Sequence, residues 1–341
     1  MDARLRAETE RLARSWQRHE AAWLRDYLVA SVEDPRLSPA SVLTRHFLIE
    51  AILGDRELAL MEAELRFALG GCWLVKQVES GAGPEDFAAV RHALAVGADN
   101  AEGEPLPAYL QEAWAVGPEA GDEARLVRGA LEKLLDHLER TDPPKLAEEP
   151  AMNTMLAAWR ERLAEIEPTG WELLEPACGS ANDYRALAAC GLDRLFRYRG
   201  LDLSEKNIAN ARALFPQARF EVGNVFALPA PDRGCELLFV HDLFEHLSPE
   251  GLEAAVGEVC RVTARAMCLG FFNMREGEPT RFRPVEEYHW NTLGAEEMRD
   301  RFERRGFAVQ VVNLAAFLRE AFGCEDFHNP GAYLFRCWRQ G

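Results

Sequence analysis

Apolar residues recur at helical spacing through the first 140 residues. Leu5, Leu12, Trp16, Trp23 and Tyr27 follow one another at steps of 7, 4, 7 and 4. Leu58, Met61, Leu65, Ala68 and Cys72 form a second stripe, and Val127, Leu131, Leu134 and Leu138 a third. Such stripes are the signature of amphipathic helices. Pro35, Pro39, Gly81, Gly83, Pro84, Pro105, Pro107 and Gly117 punctuate them. The pattern predicts an all-α helical domain over residues 1–140. Its stripes either form its own core or, in part, cover an active site or pair with a second subunit, which makes a homodimer through this domain an expectation.

The periodicity breaks at 141–150 (TDPPKLAEEP), a polar, proline-rich stretch that reads as a linker. From residue 151 to 341 the signal alternates. After a helix over 152–166, short apolar runs predict strands at 171–176, 198–203, 219–224, 235–242, 266–273, 308–315 and 332–338. Helices fall between them near 182–190, 204–215, 249–263 and 295–305. Ser248 before Pro249 is a helix start, a hydroxyl cap followed by proline at the first helical position. Gly306 after Arg304 and Arg305 is a helix stop. Strands alternating with helices predict an α/β domain with a doubly wound, seven-stranded, mostly parallel sheet. Ligands of such sheets bind at the carboxyl ends of the strands, where the strand order reverses.

The formal net charge of −17 is shared by both parts, −11 before residue 151 and −6 after it. That field repels polyanions, so nucleic acid is not an expected partner. The longest apolar runs, such as Ala266 to Phe272, are too short to span a bilayer, and no membrane association is expected. The N-terminal MDARLRAETERLARSW lacks the apolar stretch of a signal peptide. The eight cysteines show no C-x-x-C pair and no metal spacing with histidine, which suits free thiols in a reducing cytoplasm and no metal site.

Candidate chemistry lies at the strand ends. The first strand closes in Glu175-Pro-Ala-Cys-Gly-Ser-Ala-Asn-Asp183, a turn of small residues that lets a ligand approach the backbone. Only Gly179 is glycine, so this is not the G-x-G-x-x-G turn of a dinucleotide site, which counts against a nicotinamide-dependent oxidoreductase. Asp202 ends the second strand, 27 residues after Glu175, where a carboxylate can accept from a ribose diol. Asp202 also has a plainer role available, helping Ser204 start the next helix. Asn224 ends the third strand, and its amide can read an adenine edge while Val225 packs on the ring. The fourth strand runs into His241-Asp-Leu-Phe-Glu-His-Leu247.

Taken together, four such loops after four consecutive strands resemble the class I S-adenosylmethionine-dependent methyltransferases over residues 151–341. The resemblance implies a Rossmann-like methyltransferase fold with an antiparallel seventh strand at 332–338. It implies S-adenosylmethionine as cofactor, held by Glu175, Ala177, Cys178, Gly179 and Ala181, then Asp202 and Leu203, Asn224 and Val225, and His241. Phe244 to Leu247 match a post-strand motif that often ends Leu-Glu-His-Leu. Ala177 and Ala181 stand where the family usually has glycine. A methyl is tolerated there provided that neither position needs a positive φ. Pro-Ala-Cys-Gly-Ser is also similar to the loop of adenine-specific DNA methyltransferases, but His241-Asp-Leu-Phe replaces their Asn/Asp-Pro-Pro-Tyr/Phe.

Methyl transfer from a sulfonium is an in-line displacement that needs positioning more than a fixed triad. The expected function is methylation of a small molecule on oxygen, nitrogen or carbon. A non-catalytic scaffold that keeps the fold is the alternative. His246 and His289 are the candidate catalytic bases. Arg281, Arg283, Tyr288 and Asn291, in the polar and aromatic connection after the fifth strand, are the candidate acceptor-binding residues; two arginines would suit a carboxylate or phosphate. Their plainer role is to pair with Glu286, Glu287 or the acidic helical part. Asp242 and Glu245 read as loop or capping residues.

Overall fold

The computed structural model describes residues 2–54, 58–97, 106–116, 120–141 and 150–341. Most of the predicted linker (142–149), together with Pro105 and Gly117, lies outside the described residues.

The helical stripes form helices, but they do not share one core. The first part contains α1 (Ala3–Gln17), α2 (Ala21–Asp26), α3 (Pro39–Leu53), α4 (Leu58–Glu79), α5 (Pro84–Val96), α6 (Ala108–Trp114) and α7 (Asp122–Leu138). Val127, Leu131, Leu134 and Leu138 are fully buried, as their spacing predicts. Gly70 lets α4 and α7 approach closely, because a Cβ there would lie 2.9 Å from Leu131 Cδ2. α8 (Thr154–Leu163) joins this bundle. Inside it, the Arg45 guanidinium of α3 meets Glu64 Oε1 of α4 at 2.5 Å, and Trp159 Nε1 of α8 donates to Glu64 Oε2 at 2.6 Å.

The first stripe goes elsewhere. Leu5 and Leu12 of α1 pack on the core of the C-terminal part, while Trp23 and Tyr27 are 48% and 40% exposed. Periodicity had marked a face of α1, and the partner of that face is the α/β domain. Glu8 is buried and accepts from Ser248 N at 2.7 Å and Ser248 Oγ at 2.5 Å. Ser248 in turn caps α11 (Pro249–Val262) by accepting from Gly251 N at 3.0 Å, so the predicted helix start is also where α1 is anchored.

The C-terminal part has strands β1 (Glu172–Pro176), β2 (Arg197–Asp202), β3 (Arg219–Val222), β4 (Cys235–His241), β5 (Thr263–Phe271), β6 (Phe307–Asn313) and β7 (Tyr333–Arg339). They form one sheet in the order β6-β7-β5-β4-β1-β2-β3. β7 runs antiparallel to both β5 and β6, and the pairings from β5 through β3 are parallel. Helices α9 (Asn182–Cys190), α10 (Glu205–Leu214), α11 and α12 (Ala295–Glu303) connect the strands. The chain steps outward from β1 to β3 and returns to β4 on the other side of β1. This order reversal opens a crevice at the carboxyl ends of β1 and β4.

Two departures are local. The run predicted as strand 308–315 ends at Asn313, whose side chain accepts from Ala316 N at 2.9 Å and starts an unpredicted helix, α13 (Leu314–Phe322). The connection after β5 is not a plain loop. Pro284–Val285 and Tyr288–His289 pair as a small hairpin, and Met274–Arg275 pairs with Leu293–Gly294. Among the described residues, no helix is long and apolar enough to cross a membrane. All eight cysteines are free.

Candidate functional site

The loop after β1 takes the shape that glycines would give it. Ala177, Gly179 and Ala181 all have positive φ, 59°, 55° and 68°. The proviso on the two alanines is therefore corrected: both positions do need the left-handed region, and the alanines adopt it. Each such alanine carries strain of about 1–2 kcal/mol. Ala177 is exposed, so glycine there would lose no buried methyl. Ala177→Gly is expected to raise unfolding stability by about 1 kcal/mol, the strain relief less about 0.4–1 kcal/mol of added chain entropy. An increase in the urea midpoint at constant slope checks this; a decrease would show that the loop holds no strain at this residue.

The carboxylate at the end of β2 ties this loop together. Asp202, 6% exposed, accepts from Gly179 N at 2.9 Å, Ser204 N at 2.8 Å and Asn207 Nδ2 at 3.1 Å. Burial raises its carboxyl, while the bonds from Ser204, Asn207 and Gly179 pull it back. The helix-starting role and the placement at a strand tip thus coexist in one side chain. Leu203 beside it is half-buried. Glu175 is buried and accepts from the Tyr198 hydroxyl; burial, reinforced by Asp183, holds its carboxyl well above the usual range. Cys178 is buried, and its thiol is likewise held up by burial and by Glu175. α9 begins at this loop without a side-chain cap. Asn182 at its first turn is 5% exposed, and its Oδ1 has no hydrogen-bond partner.

At the end of β3, Asn224 accepts from Phe226 N at 2.9 Å through Oδ1 and donates through Nδ2 to Thr9 Oγ1 of α1 at 2.8 Å. Val225 packs on the adjoining core. Lys206 Nζ donates to the carbonyls of Gln17, the last residue of α1, at 2.9 Å and of His19 just beyond it at 2.8 Å. Asn210 Nδ2 donates to Ala21 O at 2.7 Å and to Ser180 Oγ at 3.1 Å. The N-terminal segment therefore lies across the tips of β1, β2 and β3. Its rings run on in a ladder, His19 stacked on Trp23 at 4.3 Å and Trp23 on Tyr27 at 4.9 Å.

β4 delivers His241 between the two halves of the molecule. Its Nδ1 lies 3.2 Å from Asp183 Oδ2 and its Nε2 2.9 Å from Thr44 Oγ1 of α3. Ser41 Oγ, also of α3, donates to Asp183 Oδ1 at 2.8 Å. Burial alone would lower the imidazole, but Asp183 more than reverses it and raises His241; in return the pairing keeps Asp183 below the usual carboxylate range despite burial. Gly270 of β5 makes room for this ring, since a Cβ there would fall 2.4 Å from His241 Cδ2.

Beside His241 is a cavity of about 60 Å³. Its polar lining includes Ser38, Ser41, Asp183, His241, Asp242 and Asn329. Leu28, Phe271, Phe272, Leu314 and Phe327 supply apolar walls. Among the predicted site residues only His241 lines it.

The other candidates lie apart from this cavity. His246 Nδ1 lies 3.2 Å from His289 O, its ring is enclosed by Phe272, Tyr288 and Trp290, and burial lowers its pKa. His289 sits on the hairpin, its imidazole also lowered by burial. Arg281 Nη2 pairs with Glu278 at 2.8 Å on an exposed face. Arg283 N donates to Asn291 Oδ1 at 3.1 Å, and Asn291 Nδ2 donates to Leu247 O at 2.7 Å. Glu286 and Glu287 pair instead with Arg18 and Arg14 of the α1 segment, at 2.6 and 3.1 Å. Glu245 is fully buried; its Oε1 accepts from Phe272 N at 2.8 Å while Oε2 has no partner, and burial pushes its carboxyl up to about 8. No group of three potential metal ligands forms among the described residues.

With this geometry in view, comparison with known proteins gives three results. Residues 173–266 match the family model described as a methyltransferase domain. A probable S-adenosylmethionine-dependent methyltransferase of Mycolicibacterium smegmatis is 30% identical over 169 residues, 49% of this chain and 63% of that protein, so the chain spans under two thirds of that relative. Similar solved structures include the [4+2]-cyclase SpnF, with TM-score 0.40 and 16% identity over 56% of this chain and 81% of that one. An S-adenosylmethionine dependent methyltransferase from Mesorhizobium loti has TM-score 0.39 and 16% identity over 54% of this chain and 96% of that one.

Proposed function

We propose that the C-terminal part, which matches a methyltransferase domain over residues 173–266, is a class I S-adenosylmethionine-dependent methyltransferase domain and that the protein transfers a methyl group from S-adenosylmethionine to a small-molecule acceptor by in-line displacement. The observation that carries this reading is the convergence of Gly179, Asp202, Asn224 and His241 at adjoining strand tips. Gly179 and Asp202 fit the cofactor, whereas the Asn224 amide expected to read adenine is already engaged at both ends, by Phe226 N and Thr9 Oγ1. Asp202 uses three of roughly four acceptor positions on its carboxylate, leaving capacity for a ribose hydroxyl. The unpartnered Asn182 Oδ1, beside the Gly179 loop, is a buried acceptor available to a donor on the methionine portion. Bound there, the cofactor supplies an electrophilic methyl on a sulfonium sulfur. Glu175, Ala177, Cys178 and Ala181 shape the loop that faces it, with Leu203 and Val225 as apolar neighbours.

The protein's own part in the reaction is positioning and exclusion of water. The α1–α2 segment lies over the strand tips, and α3 supplies Ser41 and Thr44 to the Asp183–His241 pair. This cover favours an acceptor small enough to be enclosed. Incubation with methyl-tritiated S-adenosylmethionine and a cell extract tests the acceptor class. Label is expected in the small-molecule fraction; label confined to protein or nucleic acid would overturn the assignment.

A further inference from the structure

We propose that Asn182 and Arg185 of α9 bind the amino-acid end of the cofactor, Asn182 accepting from its α-ammonium and Arg185 pairing with its α-carboxylate. This rests on the methyltransferase reading and names the ligand group that α9 holds.

Each residue carries a side-chain atom left without a partner. Asn182 is 5% exposed, and its Oδ1 is buried and accepts no hydrogen bond. Its amide lies against the Gly179 loop, since a Cβ on Gly179 would sit 3.6 Å from Asn182 Nδ2. Arg185 is half-buried, its Nε is enclosed, and among the described residues no hydrogen bond or ion pair holds its guanidinium. A buried polar atom without a partner is costly, and folded chains keep few of them. The two residues stand at i and i+3 on one face of the helix, separated by a rise of about 4.5 Å. α9 also begins at Ala181 without a side-chain cap, so its first-turn amides add positive potential at the same end.

The acids near Arg185 are already engaged. Four charges act on it, Arg36, Asp34, Asp26 and Arg25, and they form two closed pairs. Asp34 Oδ1 accepts from Arg36 N at 3.0 Å and Nε at 2.9 Å, and its Oδ2 from Ala30 N at 2.7 Å and Arg36 Nη2 at 2.6 Å. That fills the roughly four acceptor positions of a carboxylate. Asp26 takes both prongs of Arg25, at 2.7 and 2.6 Å. Asp183 faces His241 at 3.2 Å and Ser41 at 2.8 Å. Arg185 therefore keeps a positive charge that none of these acids cancels, in a chain whose net charge is −17. The two orphaned atoms are of opposite kind, one an acceptor and one a donor. A carboxylate or phosphate alone would satisfy Arg185 and leave Asn182 Oδ1 bare, and an amine alone would do the reverse. An α-amino acid carries both groups on one carbon, and a guanidinium is matched to its carboxylate.

S-adenosylhomocysteine and 5′-methylthioadenosine share the adenosyl thioether, and only the first carries the amino-acid group. Each is titrated calorimetrically into the full chain. S-adenosylhomocysteine is expected to bind at least about tenfold more tightly, the scale of one charge-assisted hydrogen bond. Arg185→Gln and Asn182→Ala are each expected to cut that ratio at least about threefold, by weakening S-adenosylhomocysteine and leaving 5′-methylthioadenosine unchanged. Arg185→Lys keeps the charge without the fork and is expected to retain part of the preference. Thermal unfolding of Arg185→Gln should not fall below wild type, because the guanidinium has no partner in the chain to lose. Equal affinity for the two compounds, or a ratio unchanged in both Arg185→Gln and Asn182→Ala, overturns the proposal and leaves the methyltransferase reading standing. A destabilised Arg185→Gln that loses affinity for both compounds alike gives Arg185 a structural role and also overturns it. If neither compound binds, the methyltransferase reading falls and the proposal with it.

Discussion

Glu64→Leu is expected to destabilise the protein by about 3–5 kcal/mol, the cost of leaving a buried charge without its partner. Arg45 and Glu64 are each 1% exposed and meet at 2.5 Å. The substitution strands the Arg45 guanidinium and removes the acceptor of the Trp159 indole N–H. Arg45 lies on α3, one residue from Thr44, so the loss also loosens the helix that meets His241. Adding Arg45→Met should restore most of the stability, because an apolar pair replaces an ion pair at little cost. Urea unfolding of the single and double variants checks both statements. A single variant within about 1 kcal/mol of wild type would show that the pair is not enclosed as described.

Asp202→Ala is expected to weaken S-adenosylmethionine binding by about 1–3 kcal/mol, or roughly 5- to 150-fold. The side chain does two things at once. It presents a carboxylate at the tip of β2, and it holds the Gly179 and Ser204 amides and the Asn207 amide group in place. Its removal takes away a charged acceptor and leaves these buried donors unsatisfied, so a fall in unfolding stability should accompany the lost affinity. Unchanged affinity in a folded variant would refute the ribose role.

Much of the α/β domain was legible in the sequence because its signals are local. Seven apolar runs at strand length, Ser248-Pro249 and Gly306 each act within a few residues, and each appears in the structure near its predicted position. The antiparallel β7 followed from the resemblance. What escaped is what depends on partners distant in the chain. The Leu5 and Leu12 spacing marks an apolar face but does not say which core it joins. Thr44 lies 197 residues from His241, and nothing local in α3 announces their contact. Asn313 ended a strand and capped a helix inside one apolar run, so the first two residues of α13 were read as strand and the rest of the helix was not predicted. Asp242 stood in the His241–Leu247 motif, yet its left-handed backbone exists only in three dimensions. Ala177 and Ala181 teach the converse: the loop geometry is retained without the residue type that makes it easy.

The N-terminal segment changes how the site works. Asn224 beyond β3 and Lys206 and Asn210 of α10 hold it by bonds of 2.7–2.9 Å, so ligand access and the position of α1 are linked. The most direct test of the whole account is a calorimetric titration of the full chain with S-adenosylmethionine. The account predicts saturable binding at one site per chain, competed by S-adenosylhomocysteine and weakened in Asp202→Ala. Absence of both binding heat and thermal stabilisation would contradict it.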